Sequence, residues 1–299
     1  MFAHRRKTSV YVKHNSVAVP FTTSDSWTIL SPIEQGIKRK IEAVGTPLRE
    51  WGVKINYGIK TGCNEAFIID GTKRAELIAA DPRSAEIIRP ILRGRDIKRY
   101  GYEFADQYLI ASHNGYCDDN GNEISPIEIN EYSTIKAHLD EYWDVISVRT
   151  DKGVTPYNLR NCAYMEDFSK QKIVWGEISD LPKFAYDDGA YMQEATTFLM
   201  IGHDLKYLLA FLNSQLSMYF FSKIGTTTGV GTVRRKKFKL EEFPIPQPTI
   251  ERITQIVPLI DSLLLSYSRE IEAKVNQTIY SIFDFSAEEI IYIDNFCYS

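Results

Sequence analysis

Apolar and polar residues alternate over positions 53–57, with the period of two that is typical of a half-buried strand. Gly58 and Gly62 then enclose a polar tip, and an apolar run resumes at 66–69. Glycine at these points allows positive φ angles or a close approach to another chain segment. We therefore predict a β-hairpin over 51–70, whose tip is either a solvated turn or a ligand contact.

The clearest helical patterns lie in the second half of the chain. A mostly apolar run at 205–224 predicts a buried helix, and apolar residues three and four positions apart predict further helices over 249–295. Near the start, the sequence Ser-Pro-Ile-Glu at 31–34 has the composition of a capping box at a helix N-terminus. One more helix is predicted over 126–148.

Short apolar runs bounded by turn residues predict strands at 102–111, 173–175, 184–186 and 196–201. The expected fold class is α+β, with a mixed, largely antiparallel β domain followed by a C-terminal helical spacer or docking region. The proline-rich segment after 243 predicts a stiff linker between them. The predicted boundaries give a peripheral N-terminal segment at 1–30, a central domain at 31–247 and a helical spacer at 248–299.

The overall charge gives no sign of a polyanionic partner, because the formal net charge is -4. Any basic surface must therefore be local. The cysteines Cys63, Cys117, Cys162 and Cys297 are widely spaced and follow no signal peptide, which predicts free thiols in a reducing, cytoplasmic compartment. No apolar run approaches the roughly 20 residues that a membrane-spanning helix needs, so no membrane partner is expected.

Three polar segments concentrate groups that suit phosphates and base edges. The first, at 58–64, offers a cation, a hydroxyl and an amide, the second, at 83–99, carries six cations and two anions, and the third, at 225–237, combines hydroxyls, glycines and four consecutive cations. Neutralising phosphates supplies most of the affinity of such surfaces. The alternatives are a solvated turn for the first segment and an Arg–Asp network that holds the loop for the second. The candidate DNA-binding residues are Lys60, Thr61, Asn64, Arg93, Arg95, Lys98, Arg99, Thr227, Arg234, Arg235, Lys236 and Lys237.

The motifs of several enzyme classes are missing from the chain. The sequence has no Pro-Pro pair, which the Asn/Asp-Pro-Pro-aromatic motif of amino-group DNA methyltransferases requires, and the Gly-x-Gly at 229–231 follows no predicted strand. His113 and Cys117 have the spacing of two metal ligands, but no second pair follows. The acidic residues of a nuclease are matched only weakly, at 272–274 on a predicted helix. We therefore predict no catalytic residue and no metal site in this chain.

Five motifs in a fixed order resemble a known family of domains. They are GIKTGCNEAFIID (58–70), RPILRGRDI (89–97), KIVWGEI (172–178), LAFLNS (209–214) and FPIP (243–246). The series resembles the C-terminal target-recognition (specificity) domain of Type IIG restriction–modification enzymes and TaqI-type adenine-specific DNA methyltransferases. It is also similar to a half-subunit of Type I specificity proteins, and the resemblance covers about residues 27 to 295.

The resemblance implies that the central domain is a DNA target-recognition domain. It would bind double-stranded DNA sequence-specifically and present a target adenine to a methyltransferase domain that flips the base out. The methyltransferase and nuclease domains of the parent protein, a site-specific adenine methyltransferase and type II endonuclease, would be further partners. S-adenosylmethionine and Mg are expected only for those domains, and no cofactor is expected in this chain, which would be an excised fragment or a truncated gene product.

Two other classes of function stay open at this point. The chain would be a protein-interaction module if its C-terminal helices dock a partner and its basic loops are merely solvated. It would be an enzyme if its catalytic residues follow a pattern that these motifs do not include.

Overall fold

The computed structural model describes residues 30–224, 233–234 and 237–298. The helices are α1 (Pro32–Val44), α2 (Asn64–Phe67), α3 (Gly71–Ala80), α4 (Ser133–Asp140), α5 (Trp143–Ile146), α6 (Leu205–Leu212), α7 (Gln215–Ile224), α8 (Lys237–Leu240), α9 (Ile250–Leu265), α10 (Arg269–Ile282) and α11 (Ala287–Tyr298). The strands are β1 (Gly45–Pro47), β2 (Lys54–Tyr57), β3 (Ile68–Asp70), β4 (Ile88–Leu92), β5 (Gln107–Ile110), β6 (Tyr116–Cys117), β7 (Glu123–Ile124), β8 (Lys172–Gly176), β9 (Ile178–Ser179), β10 (Phe184–Asp187), β11 (Met192–Gln193), β12 (Thr197–Ile201), β13 (Val233–Arg234) and β14 (Pro244–Pro246).

Helix α1 begins at the predicted capping box. The hydroxyl of Ser31 accepts the backbone N–H of Glu34 at 3.4 Å, and the Glu34 carboxylate accepts the Ser31 N–H at 2.7 Å. Pro32 occupies the first helical position, where its missing N–H has no intrahelical partner to lose. The helix ends at Val44 with Gly45 as its C-cap residue, and its predicted start is confirmed.

Two four-stranded sheets form the centre of the molecule, in the orders β10-β8-β12-β2 and β11-β4-β5-β3. All pairs in both sheets are antiparallel except β11 with β4. The hairpin predicted over 51–70 is wrong, because β2 pairs with β12 in one sheet while β3 pairs with β5 in the other. Residues 64–67, predicted in part as strand, form the short helix α2.

The first sheet separates two hydrophobic cores. Side chains alternate along β12: Phe198 and Met200 belong to one core, and Leu199 and Ile201 belong to the other. Helix α1 and the helices from α6 onward pack in the core on the first face, whereas the second sheet, α2 and α4 pack on the opposite face. This arrangement confirms a mixed, largely antiparallel α+β fold with C-terminal helices. The boundaries at residues 30 and 247 stay a prediction.

The apolar stretch 205–224 forms two helices, not the single one predicted. The chain turns at Asn213, whose side-chain amide is fully buried between α6 and α7. Its oxygen accepts the N–H of Phe184 at 3.0 Å and its nitrogen donates to the carbonyl of Phe184 at 2.8 Å. Together with the N–H of Tyr100, which donates to the same carbonyl at 2.9 Å, the amide therefore satisfies the backbone of Phe184 on the outer edge of β10.

The helix predicted over 126–148 is likewise divided, into a 3₁₀ turn at Ile129–Glu131 and the helices α4 and α5. The predicted helices of the C-terminal region are confirmed as α9, α10 and α11. Within the described part of the chain, every helix is too short or too polar to span a bilayer.

Candidate nucleic-acid interface

A turn at residues 194–197, here called the junction turn, connects the segments that carry the candidate residues. Gly58 donates its backbone N–H to the carbonyl of Thr197 at 2.9 Å. Glu194 donates its N–H to the carbonyl of Leu92, within the second basic segment, at 2.9 Å. Glu177 donates its N–H to Thr196 at 3.0 Å and leads into β9. Three chain segments that are far apart in sequence therefore meet at one turn.

Gly58 makes the first of these contacts possible. A Cβ atom at this position would lie 2.0 Å from the carbonyl oxygen of Glu194, so a larger residue would push the two segments apart. The next residue, Ile59, donates its N–H to Gln193 at 2.7 Å. The predicted close approach at Gly58 is therefore observed, although it joins the segment to the junction turn instead of closing a hairpin.

The first set of candidate side chains is only partly accessible. Lys60 has 58% of its side chain exposed and forms an ion pair with Asp151 at 2.8 Å. Thr61 is buried, and its hydroxyl donates to the amide oxygen of Asn64 at 2.6 Å. Asn64 is exposed. Lys60 and the amide nitrogen of Asn64 are therefore the groups of this segment that face solvent.

The second basic segment divides into internal and external cations. Arg93 binds Asp96 through two parallel hydrogen bonds of 2.9 Å, which realises the Arg–Asp network that we considered as an alternative. Arg99 contacts the backbone carbonyl of Asn213 and pairs with Glu272 on α10. Arg95 is exposed, and its guanidinium has no hydrogen bond or ion pair among the described residues.

Lys98 is half-buried and lies at the end of the same segment. Its ammonium donates to the carbonyl of Arg95 at 3.0 Å and pairs with Glu103 at 3.3 Å. The carboxyl of Glu103 is well exposed, so this pair is screened by water and contributes little to stability. Lys98 can therefore exchange this partner for an external anion at small cost.

The third segment reaches the same region through strand pairing. Arg234 lies in β13 opposite Ile178 of β9, which directly follows the end of β8 near the junction turn. Lys237 begins α8 and lies 3.8 Å from Glu241. Thr227, Arg235 and Lys236 lie outside the described residues. The structure thus brings Lys60, Arg95 and the backbone of Arg234 to one junction, while the roles assigned to them stay a prediction.

A further group of polar residues near Lys60 was missed in the sequence analysis. Arg160 pairs with Asp151 at 3.2 Å, so one carboxylate binds two cations. Arg160 and Asn161 line a cleft together with Lys60 and Tyr57, a residue that is 53% exposed. The available signal was the density of amides and cations in a loop with no apolar period, at 149–161.

Arg149 holds this loop against the first segment. Its buried guanidinium donates to the backbone carbonyls of Thr61, Pro156 and Asn158. It also lies 4.2 Å from the ring centroid of Phe67. Burial lowers the pKa of Arg149 to about 10, so the group remains charged at neutral pH. One side chain therefore fixes the position of the 150–158 loop relative to Lys60.

Replacing Lys60 with methionine should raise the pKa of Asp151. The hydrogen bond from the Lys60 ammonium holds the pKa of that carboxyl below its usual range. Because the folded-state pKa is depressed, the stabilising effect is present above the unfolded-state pKa and is lost as pH falls through the folded-state value. An NMR titration of the Asp151 carboxyl carbon checks this, with Lys183→Met as the control that removes a lysine bound to a different carboxylate, Asp180. An unchanged Asp151 pKa in Lys60→Met would contradict the ion pair.

Among the described residues, no group of three or more His, Cys, Asp and Glu side chains is arranged to hold a metal ion. His113 accepts the N–H of Gly115 at 3.2 Å through its Nδ1 atom, and its partially buried ring has a lowered pKa because burial disfavours the charged form. Cys117 is exposed.

Comparison with known proteins identifies both a family and a fold. The family model of the TaqI-like C-terminal specificity domain matches residues 89–245. The Type IIL restriction–modification enzyme MmeI, solved in complex with DNA, has a TM-score of 0.61 at 12% identity, over 84% of this chain and 36% of that chain. The type IIG restriction endonuclease BpuSI has a TM-score of 0.48 at 12% identity, over 84% of this chain and 32% of that chain. The chain thus spans a minor part of either enzyme, and no curated protein matches it in sequence.

Proposed function

The chain belongs to the family of TaqI-like C-terminal specificity domains, and on this premise we propose that it is the duplex-DNA recognition module of a restriction–modification enzyme. In this role it binds double-stranded DNA sequence-specifically. It positions a target adenine for a methyltransferase domain that lies outside these 299 residues, and that domain and a nuclease domain are its protein partners.

The observation that carries the proposal is the meeting of three basic segments at the junction turn. Lys60 and Arg95 carry exposed cations beside this turn, and β13 leads into the four consecutive cations that begin at Arg234. A duplex presents one phosphate charge per roughly 1.7 Å of its axis, so a surface that collects cations from separate segments suits it better than it suits a small anion. Because the formal net charge of the whole chain is -4, a local cluster of cations is not explained by the overall composition.

The similarity to MmeI supports the proposal at the level of fold. That enzyme is described as a restriction–modification enzyme in complex with DNA, and its fold covers most of this chain. At 12% identity, the DNA-contacting residues of MmeI cannot be carried over to positions of this chain. The assignment of individual side chains therefore depends on the geometry at the junction turn.

A mobility-shift titration of the full chain against a random-sequence duplex tests the proposed function. Carried out at about 50 and 200 mM salt, it should show binding that weakens strongly as salt rises, because bound phosphates release counterions. Absence of binding at the lower salt would contradict the proposal and favour a protein-interaction module that docks a partner through its C-terminal helices.

A further inference from the structure

An amide pair beside Lys60 is not explained by packing or by the basic segments. Asn114 and Asn161 come from different loops and line one open cleft with residues 150–154 and Arg160. Arg160 and Asn161 also line the neighbouring cleft that contains Lys60. Asn161 is exposed and therefore stands at the border that the two clefts share.

Hydrogen bonds determine the orientation of the oxygen and nitrogen atoms in both side-chain amides. The backbone N–H of Val154 donates to the Oδ1 atom of Asn114 at 2.6 Å. The Nδ2 atom of Asn114 is therefore free to act as donor, and it donates to Oδ1 of Asn161. Asn161 keeps a second lone pair on Oδ1 and both N–H groups of Nδ2 without a partner among the described residues. It presents an acceptor and a donor side by side.

The surrounding loop is held firmly enough to keep that orientation. A Cβ atom at Gly153 would lie 2.2 Å from Oδ1 of Asn114, so only glycine permits the contact. The buried side chain of Asn158 donates to the carbonyls of His113 and Ile127 at 3.3 and 2.9 Å. The amide pair is thus set on a preorganised support.

Positive charge flanks the amide pair on both clefts. Lys60, Lys152 and Arg160 line them, and Asp151 is the carboxylate among their lining residues. When the phosphates of a polyanion bind these cations at the sides of the two clefts, the groups that lie between the phosphates face Asn161. In duplex DNA, the groups between the phosphates are the base edges in the grooves.

We propose that Asn161 reads a base edge of the bound duplex and that Asn114 is its positioning residue. An adjacent acceptor and donor match the N6 amino group and the N7 atom of adenine in the major groove, which an asparagine amide contacts in a bidentate manner. The proposal rests on the proposed function, since it names the part of that same interface where sequence is recognised.

The test uses the full chain and a pool of duplexes with a randomised central segment, from which bound molecules are selected and sequenced. Binding of a fixed random-sequence duplex is measured in parallel. The variants are Asn161→Ala, Asn114→Ala and, as the matched control, Asn130→Ala, which removes an exposed asparagine outside both clefts. Circular dichroism confirms that each variant is folded.

Asn161→Ala should lose about tenfold to a hundredfold of the preference for an A·T pair at one position, because a bidentate contact discriminates by roughly that factor. Asn114→Ala should weaken the same position, while Asn130→Ala and binding of the fixed duplex stay as in the wild type. If Asn161→Ala selects the same sequence as the wild type, or loses preference equally at every position, the assignment of Asn161 is wrong. In either case, a sequence selected by the wild-type chain still supports the proposed function. A wild-type chain that selects no sequence would overturn both.

Discussion

Replacing Lys172 with methionine should lower the free energy of unfolding by about 3–5 kcal/mol, because it leaves a buried carboxylate without its counter-charge. Lys172 and Asp187 are fully buried, and their side chains approach to 2.5 Å across β8 and β10. The ammonium also donates to the carbonyl of Phe168 at 2.6 Å. Burial lowers the pKa of Lys172, and the charge of Asp187 opposes that shift. Chemical denaturation monitored by tryptophan fluorescence measures the loss.

The matched variant combines Lys172→Met with Asp187→Asn. It removes both charges, and the asparagine amide keeps one oxygen that can accept one of the two backbone N–H groups, of Ala190 and Tyr191, that the two Asp187 carboxylate oxygens accept at 3.2 Å. We expect this double variant to recover part of the lost stability, because no unpaired charge remains buried. Equal stability of Lys172→Met and the wild type would show that the pair is not buried as described.

The second large effect is expected at Arg149. Replacement by methionine removes the guanidinium, which lies over the Phe67 ring and donates to three backbone carbonyls. Hydrogen bonds from charged groups contribute about 1.5–3 kcal/mol each, and the effects do not add fully, so we expect a loss of about 3 kcal/mol. Hydrogen exchange should accelerate at the N–H groups of Gly153 and Leu159, which are bonded within and next to the loop.

Arg160→Met is the control for this prediction. It changes the same residue type eleven positions further along the chain, but 54% of the Arg160 side chain is exposed and its partner is a single carboxylate. Its effect on stability should stay within about 0.5 kcal/mol, as for most surface substitutions. If Arg149→Met and Arg160→Met behave alike in denaturation and exchange, the anchoring role of Arg149 is wrong.

The sequence predicts those elements whose signals lie within one or two helical turns. The capping box at Ser31 and the apolar stripes of α9 and α10 are local, and both are observed. The hairpin over 51–70 fails because strand partners are chosen by the whole sheet: β2 finds β12 about 140 positions later. The break at Asn213 is equally nonlocal, since its amide is needed by the edge of β10.

The candidate site shows the same division. The family resemblance and the density of cations at 83–99 depend on composition and order, which the sequence displays directly. The internal pairing of Arg93 with Asp96 involves near neighbours and was one of the two alternatives considered. The partner of Lys60 lies at Asp151, and the amides of Asn114 and Asn161 meet from separate loops. No periodicity or short motif encodes such contacts, because they depend on how the two sheets are placed.

The most direct test of a shared DNA surface is the salt dependence of duplex binding when one segment after another loses its cations. The variants are Lys60→Ala, Arg95→Ala, Arg234→Ala with Arg235→Ala, and their combination. Arg252→Ala with Lys274→Ala is the control on the C-terminal helices. Each lost phosphate contact should reduce the magnitude of the negative slope of log association constant against log salt concentration by about 0.9. We predict a reduction in every segment and an additive one in the combined variant, whereas a combined variant with the wild-type slope would contradict the account.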